Sequence, residues 1–232
     1  MKGLFITFEG TEGSGKSAQM RLLAEALKGL DRIVRVLREP GSTPIGEEIR
    51  HTLKHSQHNH AMTPEAELLL MIAARAQLVR EVIRPALAAG HLVLCDRFSD
   101  STLAYQGYGR QLDRSVVEQL ITFAVGDTRP DLTLLLTIPL AVSEARRSSR
   151  QVSLFKGLSE SAAELPRLGF TEPLRDRMEE ADRGFFERVE RGYEAIAAAE
   201  PDRVRVIDAT PRVEAVQAAV WREVERLLAQ NK

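Results

Sequence analysis

Apolar and polar positions alternate along the chain in two rhythms. Leu4-Phe5-Ile6-Thr7-Phe8 is a short, bulky run that predicts a strand ending at Gly10. Met20, Leu23, Ala24 and Leu27 then recur at helical spacing and stop at Gly29. Ile33–Leu37 predicts a second strand, Arg38–Ser42 a loop by its proline and glycine, and Pro44–Lys54 a helix. Pro64–Ala89 predicts a longer helix with Leu68, Ile72, Ala76 and Val79 on one face. Leu92–Cys95 is wholly apolar, as a strand covered on both faces should be. Leu112–Val125 predicts a helix, Leu132–Ile138 a fourth strand, Val204–Ile207 a fifth, and Val213–Leu228 a closing amphipathic helix.

Strands separated by helices predict an α/β fold, with a five-stranded parallel sheet and helices on both faces. Ligands of such sheets sit beyond the carboxyl ends of the strands, so the segments after the first three strands are where chemistry is expected. One stretch breaks the rhythm. Gln151–Pro173 follows the basic residues Arg146, Arg147 and Arg150, carries Gly157, Pro166, Gly169 and Pro173, and has only weak periodicity. It is too long for an ordinary connection and is expected to be functional, mobile or both. Met178, Phe185, Val189, Tyr193 and Ile196 then restore a helix. The 232 residues fit a single domain, 1–232, with an appendage.

Hydrophobic residues at 44% and charged residues at 28% exclude a disordered chain. Lys+Arg is 32 and Asp+Glu 33, so the net charge of −1 offers no global attraction to nucleic acid or anionic lipid. A site for a charged ligand must come from local clustering. The single Cys95 forbids an intrachain disulfide, no apolar run approaches the ~20 residues of a membrane span, and Met1-Lys2-Gly3 leads straight into a strand. The expectation is a cytoplasmic protein without nucleic-acid or membrane partners.

Gly10-Thr11-Glu12-Gly13-Ser14-Gly15-Lys16-Ser17 fits the phosphate-loop pattern G-x-x-x-x-G-K-[ST]. Its glycines let backbone N–H groups turn inward around phosphate oxygens, Lys16 supplies a charge to the outer phosphates, and Ser17 a hydroxyl for Mg²⁺. A strand precedes it and a helix follows, as this chemistry requires. Asp96-Arg97 closes the third strand, where a carboxylate can support the metal and a guanidinium can meet a second anion; a structural ion pair is the alternative. Cys95 reads as a small buried hydrophobe rather than a nucleophile. His51, His55, His58 and His60 cluster, with His51 and His55 at helical i, i+4 spacing, but no Cys or carboxylate group completes a metal set, and a solvated loop explains them better.

Together, Phe8-Glu9-Gly10, Arg38-Glu39-Pro40-Gly41, Ala73-Ala74-Arg75-Ala76-Gln77 and the string Asp96-Arg97-Phe98-Ser99-Asp100-Ser101-Thr102-Leu103-Ala104-Tyr105-Gln106-Gly107 resemble bacterial thymidylate kinases. Asp176-Arg177, Phe185-Phe186 and Ile207-Asp208-Ala209-Thr210 fit the same family, in family order along nearly the whole chain. The resemblance implies a nucleoside-monophosphate-kinase-like three-layer fold with a mobile lid at about 146–175, and transfer of the γ-phosphoryl group of ATP to dTMP in dTTP biosynthesis. By position, Gly10 to Ser17 would hold ATP and Mg²⁺, with Asp96 supporting the metal. Arg97, Arg38 and Arg50 would grip the acceptor phosphate, since planar guanidinium forks suit phosphate. Glu9 would lie near the acceptor's sugar and phosphate, Arg75 would bond the thymine edge with Thr102 and Gln106 beside it, and Tyr105 would close against the sugar.

The loop has no basic residue among Thr11-Glu12-Gly13-Ser14, so the resemblance assigns the catalytic arginine to the lid: Arg150 for the transferring charge and Arg146 for adenine. A basic helix end favoured by the helix dipole is the alternative for both. The resemblance also implies a homodimer. Met71 stands where the family usually has Phe against thymine, which keeps open a kinase for another nucleoside monophosphate or a deoxynucleoside. Thr137 and Ser42 replace a common Asp and Gly, and about 20 extra residues lengthen the lid. A nucleotide-dependent switch is disfavoured, because the chain has neither Asn-Lys-x-Asp nor Asp-x-x-Gly after a strand.

Overall fold

The computed structural model describes residues 2–30, 32–146 and 181–231. Arg147, Arg150, the insertion Gln151–Pro173, Asp176-Arg177 and Met178 therefore lie outside the described residues. Five parallel strands form one sheet: β1 (Leu4–Glu9), β2 (Val34–Arg38), β3 (Leu92–Asp96), β4 (Leu132–Thr137) and β5 (Val204–Asp208). Their spatial order is β2-β3-β1-β4-β5. Phe8 and Arg38 are both in register with Asp96, and Glu9 with Leu135, so the carboxyl ends of the strands form one line. From β1 the chain runs to one edge, and from β3 it crosses to the other, which opens a crevice between these neighbours.

Side-chain alternation along the strands divides the core. Leu4, Ile6 and Phe8 of β1 and Leu132, Leu134 and Leu136 of β4 pack with α1 (Lys16–Leu27) and α9 (Val213–Gln230), through Leu23, Leu27, Val220 and Val224. The opposite face sends Phe5, Val93 and Cys95 into α3 (Pro64–Leu78) and α6 (Arg114–Val125). There Leu135 meets α8 (Arg183–Ala199), through Phe185, Phe186 and Val189. This is the expected three-layer arrangement. Fully buried side chains such as Leu94 contribute about 1.5–3 kcal/mol each by leaving water.

Three departures from the sequence expectations have physical causes. The helix expected over Pro64–Ala89 widens at Val79–Ile83 into a π-helical turn before α4 (Arg84–Ala88). Pro85 has no N–H to give the carbonyl four residues back, and the N–H of Arg84 reaches back five residues to Val79 instead. The strand around Ile33 starts one residue later and is an edge, with Val36 half-exposed. The segment after β3 is itself helical, as α5 (Ser99–Thr102) running into a π-helical stretch, Leu103–Gly109. Its Ser, Asp and Gly content gives no helical signal. Packing against α8 imposes the helix: a Cβ on Gly109 would lie 2.6 Å from the Phe185 ring, and one on Gly192 2.9 Å from that of Tyr108. Only glycine permits that approach.

The remaining elements frame the crevice. The helix α2 (Pro44–His55) starts on Thr43, whose buried hydroxyl accepts the N–H of Gly46 at 2.9 Å. A helix α7, described over residues 140–146, returns from β4 toward the phosphate loop. Among the described residues, no helix is long and apolar enough to cross a membrane.

Candidate active site

The turn between β1 and α1 depends on three glycines with positive φ: Gly10 at 133°, Gly13 at 79° and Gly15 at 88°. At Gly10 a Cβ would stand 2.2 Å from the carbonyl oxygen of Leu136, so the β1–β4 packing itself requires glycine. Lys16 is 7% exposed and its Nζ donates to the carbonyls of Gly10 (3.1 Å) and Thr11 (3.0 Å). Burial, and next the charge of Arg97, lower its ammonium to about 8. The Ser17 hydroxyl donates to Asp96 Oδ2 at 2.7 Å, joining the loop to the end of β3. Arg146 on α7 donates from Nη1 to the carbonyl of Gly13 at 2.9 Å, on the outer side of the loop.

A cavity of about 530 Å³ opens from this loop into the crevice, lined by Glu12, Gly13, Gly15, Lys16 and Ser17 at the loop end. Along it lie Asp96, Arg97 and Tyr105, then Met71, Arg75, Thr102 and Gln106, with Arg38 and Arg50 at the side. Sequence motifs spread from Glu12 to Gln106 are thus brought to one space. Met71 and Arg75 are one turn apart on α3, and Thr102 and Gln106 face them from α5 and its continuation.

Arg97 sits at a φ of 69°, left-handed backbone that a bulky residue adopts only under tertiary constraint. That constraint is visible. Nη1 donates to the Gly10 carbonyl (3.2 Å) and the Ser101 hydroxyl (3.1 Å), Nη2 to Glu12 (3.2 Å) and the Tyr105 hydroxyl (3.3 Å), and the guanidinium lies 4.9 Å above the Tyr105 ring. Arg38 pairs with Glu47 at 2.9 Å, and Arg50 donates to the Pro40 carbonyl at 2.9 Å. The Ser42 N–H, and then Arg38, hold the Glu47 carboxyl below the ordinary range.

Arg75 is 2% exposed and bound on three sides: Nε to Glu39 Oε2 (2.8 Å), Nη1 to Thr102 Oγ1 (2.8 Å) and Nη2 to the Phe98 carbonyl (3.0 Å). Glu39 Oε1 is buried without a partner among the described residues, and its carboxyl is raised by burial against the pull of Arg75.

Glu9 stands next to Gly10 of the loop. It does not line the cavity; it is fully buried behind Arg97 and accepts from the Phe98 N–H (2.7 Å), the Ser101 hydroxyl (2.5 Å) and the Tyr193 hydroxyl (2.9 Å). It ends an interior strand, so the groups on α5 and α8 close over it. Burial, reinforced by nearby Asp100, lifts it to about 7. Gly10, Thr11 and Ser14 likewise serve the loop's backbone rather than the cavity wall. The sequence assigned no role to Glu39, Glu67, Ser101 and Tyr193: Glu39 and Ser101 line the cavity and bond Arg75 and Arg97, while Glu67 and Tyr193 hold Gln106 and Glu9 from behind. Tyr193 falls on the periodic face of α8, and Glu67 one turn before Met71 and two before Arg75 on α3, but neither spacing marks the bond it makes.

As a chemical device, the site offers cationic and N–H donors for a polyphosphate at one end. Further arginines stand midway for a second anion, and at the far end are the buried polar side chains Arg75, Thr102 and Gln106. A sequence model of the family described as Thymidylate kinase matches residues 8–162. The chain is 44% identical over 229 residues to a thymidylate kinase of Alcanivorax borkumensis, covering 99% of each, and 47% identical over 218 residues to one of Geobacter sulfurreducens, covering 94% of each. Among solved structures it resembles the thymidylate kinase from Ehrlichia chaffeensis, with a TM-score of 0.72, 31% identity and coverage of 97% of this chain and 99% of that one.

Proposed function

Because the chain belongs to the thymidylate kinase family, it phosphorylates dTMP to dTDP with ATP as donor, a step toward dTTP, and we propose that the cavity described above performs it by positioning and charge neutralisation. The observation that carries this assignment of parts is the single cavity with a phosphate loop at one end and Arg75, Thr102 and Gln106 at the other. The acceptor is already an anion, so no strong general base is needed, and the main barrier is bringing two polyanions together.

Lys16 and the loop N–H groups hold the outer phosphates of ATP. Arg146, bound to the loop at Gly13, marks the adenine side. Arg97, Arg38 and Arg50 take the dTMP phosphate, with Arg38 exchanging part of its bond to Glu47 for it. Arg97 is already fixed by four groups, so little ordering is left for the moment of transfer. Tyr105 packs beneath it and faces the sugar. Glu9 acts through Ser101 and Tyr193, as a brace. Arg150, outside the described residues, is the proposed source of positive charge on the transferring group, within a lid at about 146–175.

The Ser17 hydroxyl and the Asp96 carboxylate are hard oxygen donors joined at 2.7 Å, a pair that fits Mg²⁺. Among the described residues no set of three His, Cys, Asp or Glu could hold a metal alone, which suits an ion held largely by phosphates and water. Ser17 and Asp96 would hold Mg²⁺, which would supply positive charge against the phosphates. The reading also includes a cytoplasmic setting and a homodimer. The dimer is supported by Leu69 on α3 and Val116 and Phe123 on the adjoining α6, all exposed, Phe123 by 75%.

The test is ADP production from Mg-ATP with dTMP, dUMP, UMP, dCMP, dGMP or thymidine as acceptor. Stimulation by dTMP well above the others is expected. Activity centred on another acceptor would instead support the alternative motivated by Met71.

A further inference from the structure

The base end of the cavity is read by two side chains of opposite polarity, and only one of them has a fixed polarity by its own chemistry. Arg75 donates whichever way it turns. The Thr102 hydroxyl accepts from Arg75 and can rotate to donate or accept elsewhere. Gln106 is different, because its amide carries a donor at one end and an acceptor at the other, and a flip exchanges them at almost no steric cost.

What prevents the flip lies behind the pocket. Glu67, 1% exposed, takes the Gln106 Nε2 group on Oε1 at 2.9 Å. The same carboxylate is held by Arg110, from Nε to Oε1 at 3.2 Å and from Nη2 to Oε2 at 2.9 Å, and Arg110 is in turn seated 4.8 Å above the Phe185 ring. An ion-paired carboxylate offers acceptors alone. A flipped Gln106 would aim its carbonyl oxygen at that carboxylate and leave a buried N–H pair facing the wrong way. With Nε2 committed to Glu67, Oε1 is the end of the amide left to the cavity, which Gln106 lines.

We propose that Glu67 is a positioning residue for base selectivity. By fixing the Gln106 amide, it makes the pocket accept a pyrimidine that presents a carbonyl beside a ring N–H, and reject cytosine. This rests on the reading that the cavity takes dTMP. Thymine and uracil offer the C4 carbonyl to the guanidinium of Arg75 and the N3–H to the carbonyl of Gln106. Cytosine reverses both positions: its amino group meets Arg75, and its N3 lone pair meets the Gln106 oxygen. Arg75 is as firmly held as Gln106, by Glu39, Phe98 and Thr102, so neither half of the reader can adapt. Selectivity against cytosine then comes from two unpaired or repelling contacts rather than from shape. Met71, which gives the base a less defined face than an aromatic ring, leaves this part of the selection untouched.

The experiment compares kcat/KM for dTMP and dCMP, with Mg-ATP, in the wild type and in Glu67→Gln. An amide at 67 can pair with Gln106 in either orientation, so Gln106 becomes free to offer its NH₂ to cytosine. The dTMP-to-dCMP ratio should fall by about tenfold or more, with the dCMP value rising in absolute terms. A ratio equal to that of the wild type overturns the proposal, even if both values drop together, because that is what loss of a merely structural ion pair would give. If Glu67→Gln does not fold, Gln106→Leu decides. It removes the thymine contact and the repulsion of cytosine N3 together, so the dTMP-to-dCMP ratio should fall by about 10- to 100-fold, whereas a ratio equal to that of the wild type overturns the proposal. Failure of the wild type to use dTMP would be seen before any variant is compared, and would count against the functional reading instead.

Discussion

Lys16 shows how the site sets a charge against its surroundings. Its ammonium is cut off from water, and burial first, then Arg97, bring it from 10.5 in an open chain to about 8. A depressed folded value means that the stability it contributes is complete above 10.5 and is lost as the pH falls through about 8. At neutral pH the protonated lysine therefore costs the free protein stability, and phosphate oxygens relieve that cost by raising its affinity for the proton. Binding of Mg-ATP at pH ~8.5 should thus take up a fraction of a proton, measured by calorimetry in buffers of different ionisation enthalpy. Lys16→Met should abolish the uptake; the same uptake in the variant would place the proton elsewhere. At this scale the sequence was informative where a local string carries the chemistry. Lys16, Asp96-Arg97, Arg75, Thr102 and Gln106, all singled out by the motifs, line the cavity. Glu67 and Tyr193 were not legible, since each acts on a partner 39 or 184 positions away and nothing in its neighbourhood marks the bond.

At the scale of elements, the hydrophobic rhythm predicted all five strands and most helices, because each carries its burial pattern in its own residues. The helical segment Ser99–Gly109 escaped for the opposite reason: α8 imposes its conformation, and Gly109, which looks like a helix breaker, is what lets α8 approach. That account separates two glycines in the same stretch. A methyl at Gly109 would stand 2.6 Å from Phe185 and 2.9 Å from Val189, whereas one at Gly107 would meet the flexible ends of Leu103 and Arg114 at 3.2 and 3.5 Å. Gly109→Ala should lose about 1–3 kcal/mol in denaturant unfolding through overpacking. Gly107→Ala should stay within about 1 kcal/mol of wild type, as helix propensity offsets a small strain. Equal effects would mean that α8 does not depend on this approach. Because Tyr105 and Gln106 lie on the same π-helical stretch, Gly109→Ala should also weaken dTMP binding.

For the whole molecule, the near-zero net charge hides a strong local asymmetry. Lys16, Arg38, Arg50, Arg75 and Arg97 converge on one cavity, although basic and acidic residues nearly balance over the chain. The outer face of α3 and α6 supplies a separate prediction. If a second copy covers it, the protein should sediment at about twice 25.8 kDa, and Phe123→Lys should shift it toward the monomer. An unchanged mass in that variant would remove α6 from the interface. The central claim concerns the cavity itself, and the most direct measurement is a crystal structure with dTMP bound. The account predicts the thymine edge on Arg75 and the Gln106 carbonyl, with the 5′-phosphate among Arg38, Arg50 and Arg97 and directed toward Lys16. A base seated at the phosphate-loop end, or dTMP bound outside this cavity, would contradict it.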